Sequence, residues 1–186
     1  MKHTHIILVL MLTCFISCKN DTKGATTGQG NNEKAELLLG RWETSTFMNE
    51  TQVQKIFKDD MEEGMSGEMT LVDAYHFIKG NRYNQEGEMT ITLKMGGQEI
   101  PLKFYGKQSG TWSIHDNTLV TVAEDSKIIA MDDFTKNVLA NAPEFKEMLQ
   151  PNKGEAISLE IKMLTKKVLQ VVDEDLSGLI LTYNKK

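Results

Sequence analysis

The stretch Glu88-Met89-Thr90-Ile91-Thr92-Leu93-Lys94-Met95-Gly96-Gly97-Gln98-Glu99-Ile100-Pro101-Leu102-Lys103-Phe104 decides the fold class. Successive side chains of an extended chain point to opposite faces, so Met89, Ile91, Leu93 and Met95 share one face and Glu88, Thr90, Thr92 and Lys94 the other. Gly96-Gly97 supplies a two-residue hairpin turn, after which Ile100, Leu102 and Phe104 resume the apolar face. A helix would need apolar residues three and four apart, and here the period is two.

The same period runs outward in both directions. Upstream, Met69, Leu71, Tyr75 and Phe77 share a face that Asp73 interrupts. Before them Trp42, Thr44, Thr46 and Met48 alternate with Glu43, Ser45 and Phe47. Downstream, Trp112-Ser113-Ile114 leads through Asp116-Asn117 into Leu119 to Ala123, and Ile128 to Met131 reads as a further short strand. Three alternating strands close the chain: Ile157 to Met163, Val168 to Val172, and Leu179 to Tyr183, with turns at Lys166-Lys167 and Leu176-Ser177-Gly178. About eight to nine antiparallel strands joined by hairpin turns predict a mainly β fold, a closed barrel whose closure removes exposed strand edges.

Two helical insertions break the pattern. Val53, Ile56, Phe57 and Met61 fall at helical spacing behind Asn49, a residue type suited to the N-cap, which predicts a helix from Glu50 to Glu63 ended by Gly64 and Gly67. Farther on, Phe134, Val138 and Leu139 form one stripe and Phe145, Met148 and Leu149 another, with Pro143 starting the second helix.

The N-terminus reads as an address rather than as structure. Lys2 precedes an apolar run from Ile6 to Ile16, then Ser17 and Cys18. That run is roughly half of the ~20 residues a membrane span requires, so it reads as a secretory signal peptide over residues 1–17. A cysteine just after the cut is what a bacterial lipoprotein signal needs, because its thiol takes the diacylglycerol; the rival reading is an ordinary secreted protein with Cys14 and Cys18 inside the leader. Residues 18–35 hold almost no large apolar side chain and are expected to form a flexible tether. The barrel domain is expected over 36–186. Lys19 is not the aspartate that retains lipoproteins at the inner membrane, so the expected location is the outer membrane of a Gram-negative bacterium, with the leaflet open.

The chain carries 21 Lys and Arg against 26 Asp and Glu. Loss of Lys2 with the leader moves its net charge from −5 to about −6, which offers no general attraction for nucleic acid or anionic lipid. With Cys18 acylated, no disulfide can form, and the fold must rest on its core.

A family resemblance rests on three short motifs. Leu38-Leu39-Gly40-Arg41-Trp42 resembles the Gly-x-Trp signature that opens the first lipocalin strand. Gly110-Thr111-Trp112-Ser113-Ile114 with Asn117-Thr118-Leu119, and the last three strands from Ile157 to Tyr183, are similar to bacterial lipocalin-like lipoproteins. The chain departs from the lipocalin pattern in having no Thr-Asp-Tyr motif and no arginine late in the sequence to stack on Trp42. The resemblance implies a small lipocalin-like barrel with room for a ligand pocket, and no specific activity.

Barrel geometry supports the same expectation. An eight-stranded barrel is either filled by its own side chains or wide enough for one small ligand. Trp42, Tyr75, Phe77, Phe104 and Trp112 are the candidate ligand-binding residues, because aromatic walls bury much area; their alternative role is core packing, which alternation cannot separate from a cavity wall. Val53, Phe57 and Met61 are the candidate lid.

Catalytic and metal motifs offer little. Asp73-x-x-His76 and His115-Asp116 could be drawn as acid–base pairs, but no Gly-x-Ser-x-Gly, His-Glu-x-x-His or phosphate loop accompanies them. The acidic runs Asp59 to Glu63, Asp132-Asp133 and Asp173 to Asp175 lack EF-hand spacing. Met61, Met65 and Met69 could suit Cu(I), but the intervening glycines break their alignment. The sequence therefore predicts no enzyme, metal or cofactor. It predicts a membrane-anchored barrel that takes a small apolar or amphipathic ligand by shape, at roughly 25 cal/mol per Å² of buried surface. Two alternatives stay open: a filled barrel that binds an envelope protein or glycan, and a hydrolase or isomerase using His76 or His115 in a cleft.

Overall fold

The computed structural model describes residues 28–56, 66–141, 149, 153–173 and 178–186. Eight strands form a closed antiparallel barrel in strict sequence order. They are β1 (Gly40–Met48), β2 (Ser66–Ile78), β3 (Arg82–Met95), β4 (Gln98–His115), β5 (Thr118–Ala130), β6 (Ala156–Leu164), β7 (Val168–Asp173) and β8 (Leu179–Lys185). Three helices accompany them: α1 (Gly28–Leu38), α2 (Glu50–Ile56) and α3 (Asp133–Asn141).

The deciding stretch folds as read. Gly96 and Gly97 both carry positive φ, 58° and 79°, which the two central residues of a hairpin turn of this type require and which glycine adopts without strain. Ile128 begins no ninth strand. It continues β5, past a register shift opposite Ser109 and Gly110 that β4 carries without a break. A bulge of this kind bends a strand without ending it.

Strand lengths divide the barrel into two ends. β2 to β5 run 13, 14, 18 and 13 residues, whereas β6 to β8 run 9, 6 and 7. β6 meets β5 only as far as Val122, and β8 meets β1 through Trp42↔Lys185 and Glu43↔Asn184. The ring is thus complete at one end, here called the base. Beyond it β2 to β5 project as a curled wall whose inner face must be covered by something other than strands.

The base holds one core cluster: Trp42, Tyr75, Phe77, Tyr83, Trp112 and Tyr183 among Leu119, Leu159, Leu169 and Leu181. α1 closes it from below. Leu38 is fully buried there, and Lys34 donates to the Asp116 carbonyl at 2.7 Å and to Asn117 Oδ1 at 2.6 Å. α1 thereby takes in residues 28–35, the last part of the stretch read as a tether. The ring of Trp42, over which the sequence offers no late arginine, is covered by a lysine. Lys185 places its Nζ 5.0 Å from the Trp42 ring centroid and donates to the Leu37 carbonyl at 2.8 Å, while Trp42 Nε1 donates to the Leu38 carbonyl at 2.6 Å.

The far end holds the second cluster, Met48, Val53, Met69, Ile91, Leu102 and Phe104. α2 and α3 lie at this end. Asn49 and Gln52 cap α2 reciprocally, each backbone N–H donating to the other's side chain at 3.1 Å. Asp132 Oδ1 accepts from the Thr135 N–H at 2.7 Å to start α3, and Thr135 Oγ1 accepts from the Lys103 N–H at 3.0 Å, which ties α3 to β4. Val138, Leu139 and Leu149 pack on the cluster, but Phe134, expected on the same stripe, is exposed. No helix among the described residues is long and apolar enough to cross a membrane.

Candidate functional site

Between the two clusters the barrel lining turns polar. Asp73 stands in phase with Met69, Leu71, Tyr75 and Phe77 and is 3% exposed, so it does not interrupt the inward face but belongs to it. Gln85 Nε2 donates to both of its oxygens, at 3.2 and 3.1 Å, and the Tyr183 hydroxyl donates to Oδ2 at 3.0 Å. These contacts join β2, β3 and β8 across the interior. A second polar link lies nearby, where Gln108 Nε2 donates to the Tyr83 hydroxyl oxygen.

Burial pushes the Asp73 carboxyl up to about 6, although hydrogen bonds from Tyr183, Gln85 and the Ala74 N–H pull the other way. Desolvation disfavours the charged form more than three neutral donors favour it. Among the described residues no lysine, arginine or histidine forms an ion pair with Asp73. Burial likewise raises the Tyr83 phenol.

Glycine shapes the wall beside this carboxylate. Gly87 pairs with Asp73 on one side and with Gly106 on the other. A Cβ at Gly87 would sit 2.6 Å from the Val72 carbonyl oxygen and 3.0 Å from Asp73 Oδ1, so no larger residue fits unless the strands separate. The bare wall opens a cavity of about 190 Å³, with Leu71, Met89, Phe104, Ile128 and Leu149 on its apolar side and Asp73, Gln85, Gln108 and Ser126 on its polar side. For scale, an apolar cavity of about 150 Å³ holds benzene.

A second hollow of about 460 Å³ lies over Ala74, bordered by Arg41, His76, Asn84, Glu86, Asp125 and Lys127. Its charged rim is largely self-satisfied: Arg41 pairs with Glu43 at 2.8 Å and with Glu86 at 3.1 Å, and Tyr105 donates to Glu86 at 3.0 Å. These contacts hold the Glu43 and Glu86 carboxyls below the usual range. The inner cavity, with a buried carboxylate and an apolar wall, is the better-formed site.

With this geometry in view, a scan against protein-family models finds no matching family, and no curated protein matches the chain.

The residues singled out from sequence fall in different places. Of the five aromatic candidates, Phe104 lines the cavity. Tyr75 stacks on Phe77 with centroids 5.3 Å apart and planes at 3°, and Phe77 meets Trp112 edge-on at 5.8 Å. These three pack together in the base, and Trp42 lies beneath Lys185. Val53 is fully buried in the far cluster, while Phe57 and Met61 lie outside the described residues, as does Met65. His76 is exposed on the outer face of β2, separated from Asp73 by the barrel wall, and His115 is exposed beside Ser113. Asp132 serves as a helix cap, and the described residues contain no group of His, Cys, Asp and Glu able to hold a metal ion.

Sequence reasoning missed Asp73, Gln85, Gln108 and Lys185 as interior or capping residues. The signal for the first three was phase. Each keeps the inward parity of its strand, so a strict count places it indoors whatever its polarity. Lys185 was missed because only an arginine was sought.

Proposed function

We propose that this chain is a lipid-anchored envelope protein whose lipocalin-like barrel holds one small amphipathic molecule, without performing chemistry on it. The cavity under Asp73 carries this reading. One side is apolar, and the other offers a carboxylate and two amides at fixed positions. A few convergent polar groups on an apolar wall are what small-molecule sites generally present. The volume sets the ligand class: a single ring or a short chain rather than a long acyl chain, since drug-sized ligands need pockets of about 300 Å³ or more. The anchor rests on the leader and Cys18.

Native mass spectrometry of the full chain, released from nanodiscs after isolation from its host envelope, tests both parts. The expected result is a diacylglycerol-modified N-terminus at Cys18 plus one bound species below about 200 Da, a size that follows from the cavity comparison above. An unmodified chain removes the anchor. A chain without bound mass, which takes up nothing from an envelope small-molecule extract, removes the ligand.

A second reading, an interaction module, draws on the junction of β5 and α3. Ile129, Met131 and Phe134 are 37%, 47% and 52% exposed there, and contiguous apolar exposure marks partner surfaces. Cross-linking in the host envelope through a photoreactive residue at position 134 would separate the two readings.

A further inference from the structure

Resting on the ligand reading above, we infer that the polar end of the cavity ligand is a cationic amine seated on Asp73. The carboxylate is buried without a counter-ion among the described residues, and the groups that reach it are neutral: Gln85, Tyr183 and the Ala74 N–H. Taking an unpaired carboxylate out of water costs several kcal/mol, and neutral donors recover part of that. An ammonium in the cavity recovers more, through charge as well as hydrogen bonding.

The geometry leaves room for it. Two oxygens provide about four acceptor sites; of the side chains that reach them, Gln85 donates to both and Tyr183 to Oδ2 alone. The missing side chain of Gly87 lies 3.0 Å from Oδ1, measured from where its Cβ would be. Asp73 and Gly87 both line the cavity, and the absent side chain keeps the carboxylate uncovered on that side. Beyond it Leu71, Met89, Phe104 and Ile128 fit an apolar body. Lys107 and Lys127 also border the cavity, but both are exposed on the outer face of β4 and β5, where their ammonium groups are solvated and do not compete for Asp73. A carboxylate that served only to tie β2, β3 and β8 together would show no preference for a cationic probe over a neutral one of the same shape, and that difference can be measured.

The test uses four probes of one size: benzylamine, benzyl alcohol, toluene and benzoate. Binding to the full chain in lipid nanodiscs is read by saturation-transfer NMR and by the shift in thermal unfolding, with empty nanodiscs as the blank. Benzylamine is expected to bind at least tenfold more tightly than the other three. Asp73→Asn should bring it down to the level of benzyl alcohol, and Met89→Trp, which fills the cavity, should abolish both. Equal binding of benzylamine, benzyl alcohol and toluene, or preference for benzoate, overturns the amine and leaves the ligand site standing. No binding of any probe at millimolar concentration removes the ligand site as well. The comparison of probes on the unsubstituted chain decides the matter even if Asp73→Asn does not fold.

Discussion

The two ends of this barrel are built by different means. At the base, eight strands complete the ring and aromatic side chains fill it, with Tyr83, Trp112 and Tyr183 arranged in ring contacts around the stacked pair Tyr75 and Phe77. At the far end the short strands β6 to β8 have stopped, and Met48, Met69, Ile91, Leu102 and Phe104 are covered by helical insertions. Strand length explains the contrast. A closed ring can be no taller than its shortest strands, so the surplus of β2 to β5 leaves an apolar face that only inserted segments can bury. Both helical insertions accordingly occur in connections at that end, between β1 and β2 and between β5 and β6. Fixed aromatic geometry makes the base a rigid plug; flexible methionine and aliphatic chains make the far core adaptable. The cavity lies where one regime gives way to the other.

The largest effect expected from this contrast is at the base. Trp42→Ala removes a fully buried ring, its hydrogen bond to Leu38 and the seat of Lys185, and should cost about 3–5 kcal/mol in chemical unfolding of the full chain. Met48→Ala, equally buried at the far end, should cost about 2 kcal/mol, the low side of the range for such changes, because neighbouring methionines can relax into the space. Equal losses would show that the two cores do not differ in rigidity.

Most of the base was legible beforehand, since alternation and turn residues are local signals. The far end was less so. Helix α2 begins where Asn49 predicts, yet Phe134 of α3 points to solvent because a stripe at helical spacing does not reveal which side of the helix meets a partner far away in sequence. Ile128 was read as a new strand because the polar run Glu124-Asp125-Ser126-Lys127 resembles a loop, whereas pairing with β4 carries β5 through it past the register shift. The site was the least legible. Asp73 looked like a flaw in an apolar face; the β2–β3 hairpin brings Gln85 onto it, and only the closed ring brings Tyr183, 110 residues away.

Asp73 gives the next effect, visible as pH dependence. Its carboxyl stands at about 6 in the fold against an ordinary value of 3.8, so the folded state favours the neutral form. Stability from this group is then fully present below the unfolded value and is lost as pH rises through 6. The gap corresponds to roughly 2–3 kcal/mol. Glu43, Glu86 and Asp132, whose carboxyls are lowered by their partners, act in the opposite direction, so the whole-protein profile mixes both. The stability of the native chain minus that of Asp73→Asn isolates the one group. That difference should fall by roughly 2–3 kcal/mol between about pH 4 and pH 7, and a flat difference would place the carboxylate in water.

Lys185 tests whether the base depends on charge or on bulk. Lys185→Met keeps the length of the side chain over Trp42 but loses the cation–π contact and the hydrogen bond to Leu37. A loss of about 1–2 kcal/mol is expected in unfolding experiments. Lys185→Arg should restore most of it, because a guanidinium can cover the indole and still donate to the carbonyl. If methionine serves as well as lysine, packing alone holds the cap.

The smallest effect bears most directly on adaptability. Met69→Leu changes shape at nearly constant volume in the far core, where Met48 and Met89 are neighbours that can shift, and such swaps usually cost less than about 1.5 kcal/mol; a loss of about 0.5 kcal/mol is expected. Phe77→Leu is a comparable apolar replacement at the base, but there the side chain stacks on Tyr75 and takes Trp112 on its edge. Each ring contact is worth about 0.5–1.5 kcal/mol beyond burial, so Phe77→Leu should cost about 1–2 kcal/mol more than Met69→Leu. Side-chain NMR would show the same difference in another form, with the Met69 methyl moving between rotamers while the Tyr75 and Trp112 rings keep single environments. Were the two substitutions to cost the same, with the far methyls as rigid as the base rings, the cavity would sit inside one uniform core. Its capacity to adjust around a ligand would then have to come from the polar layer at Asp73.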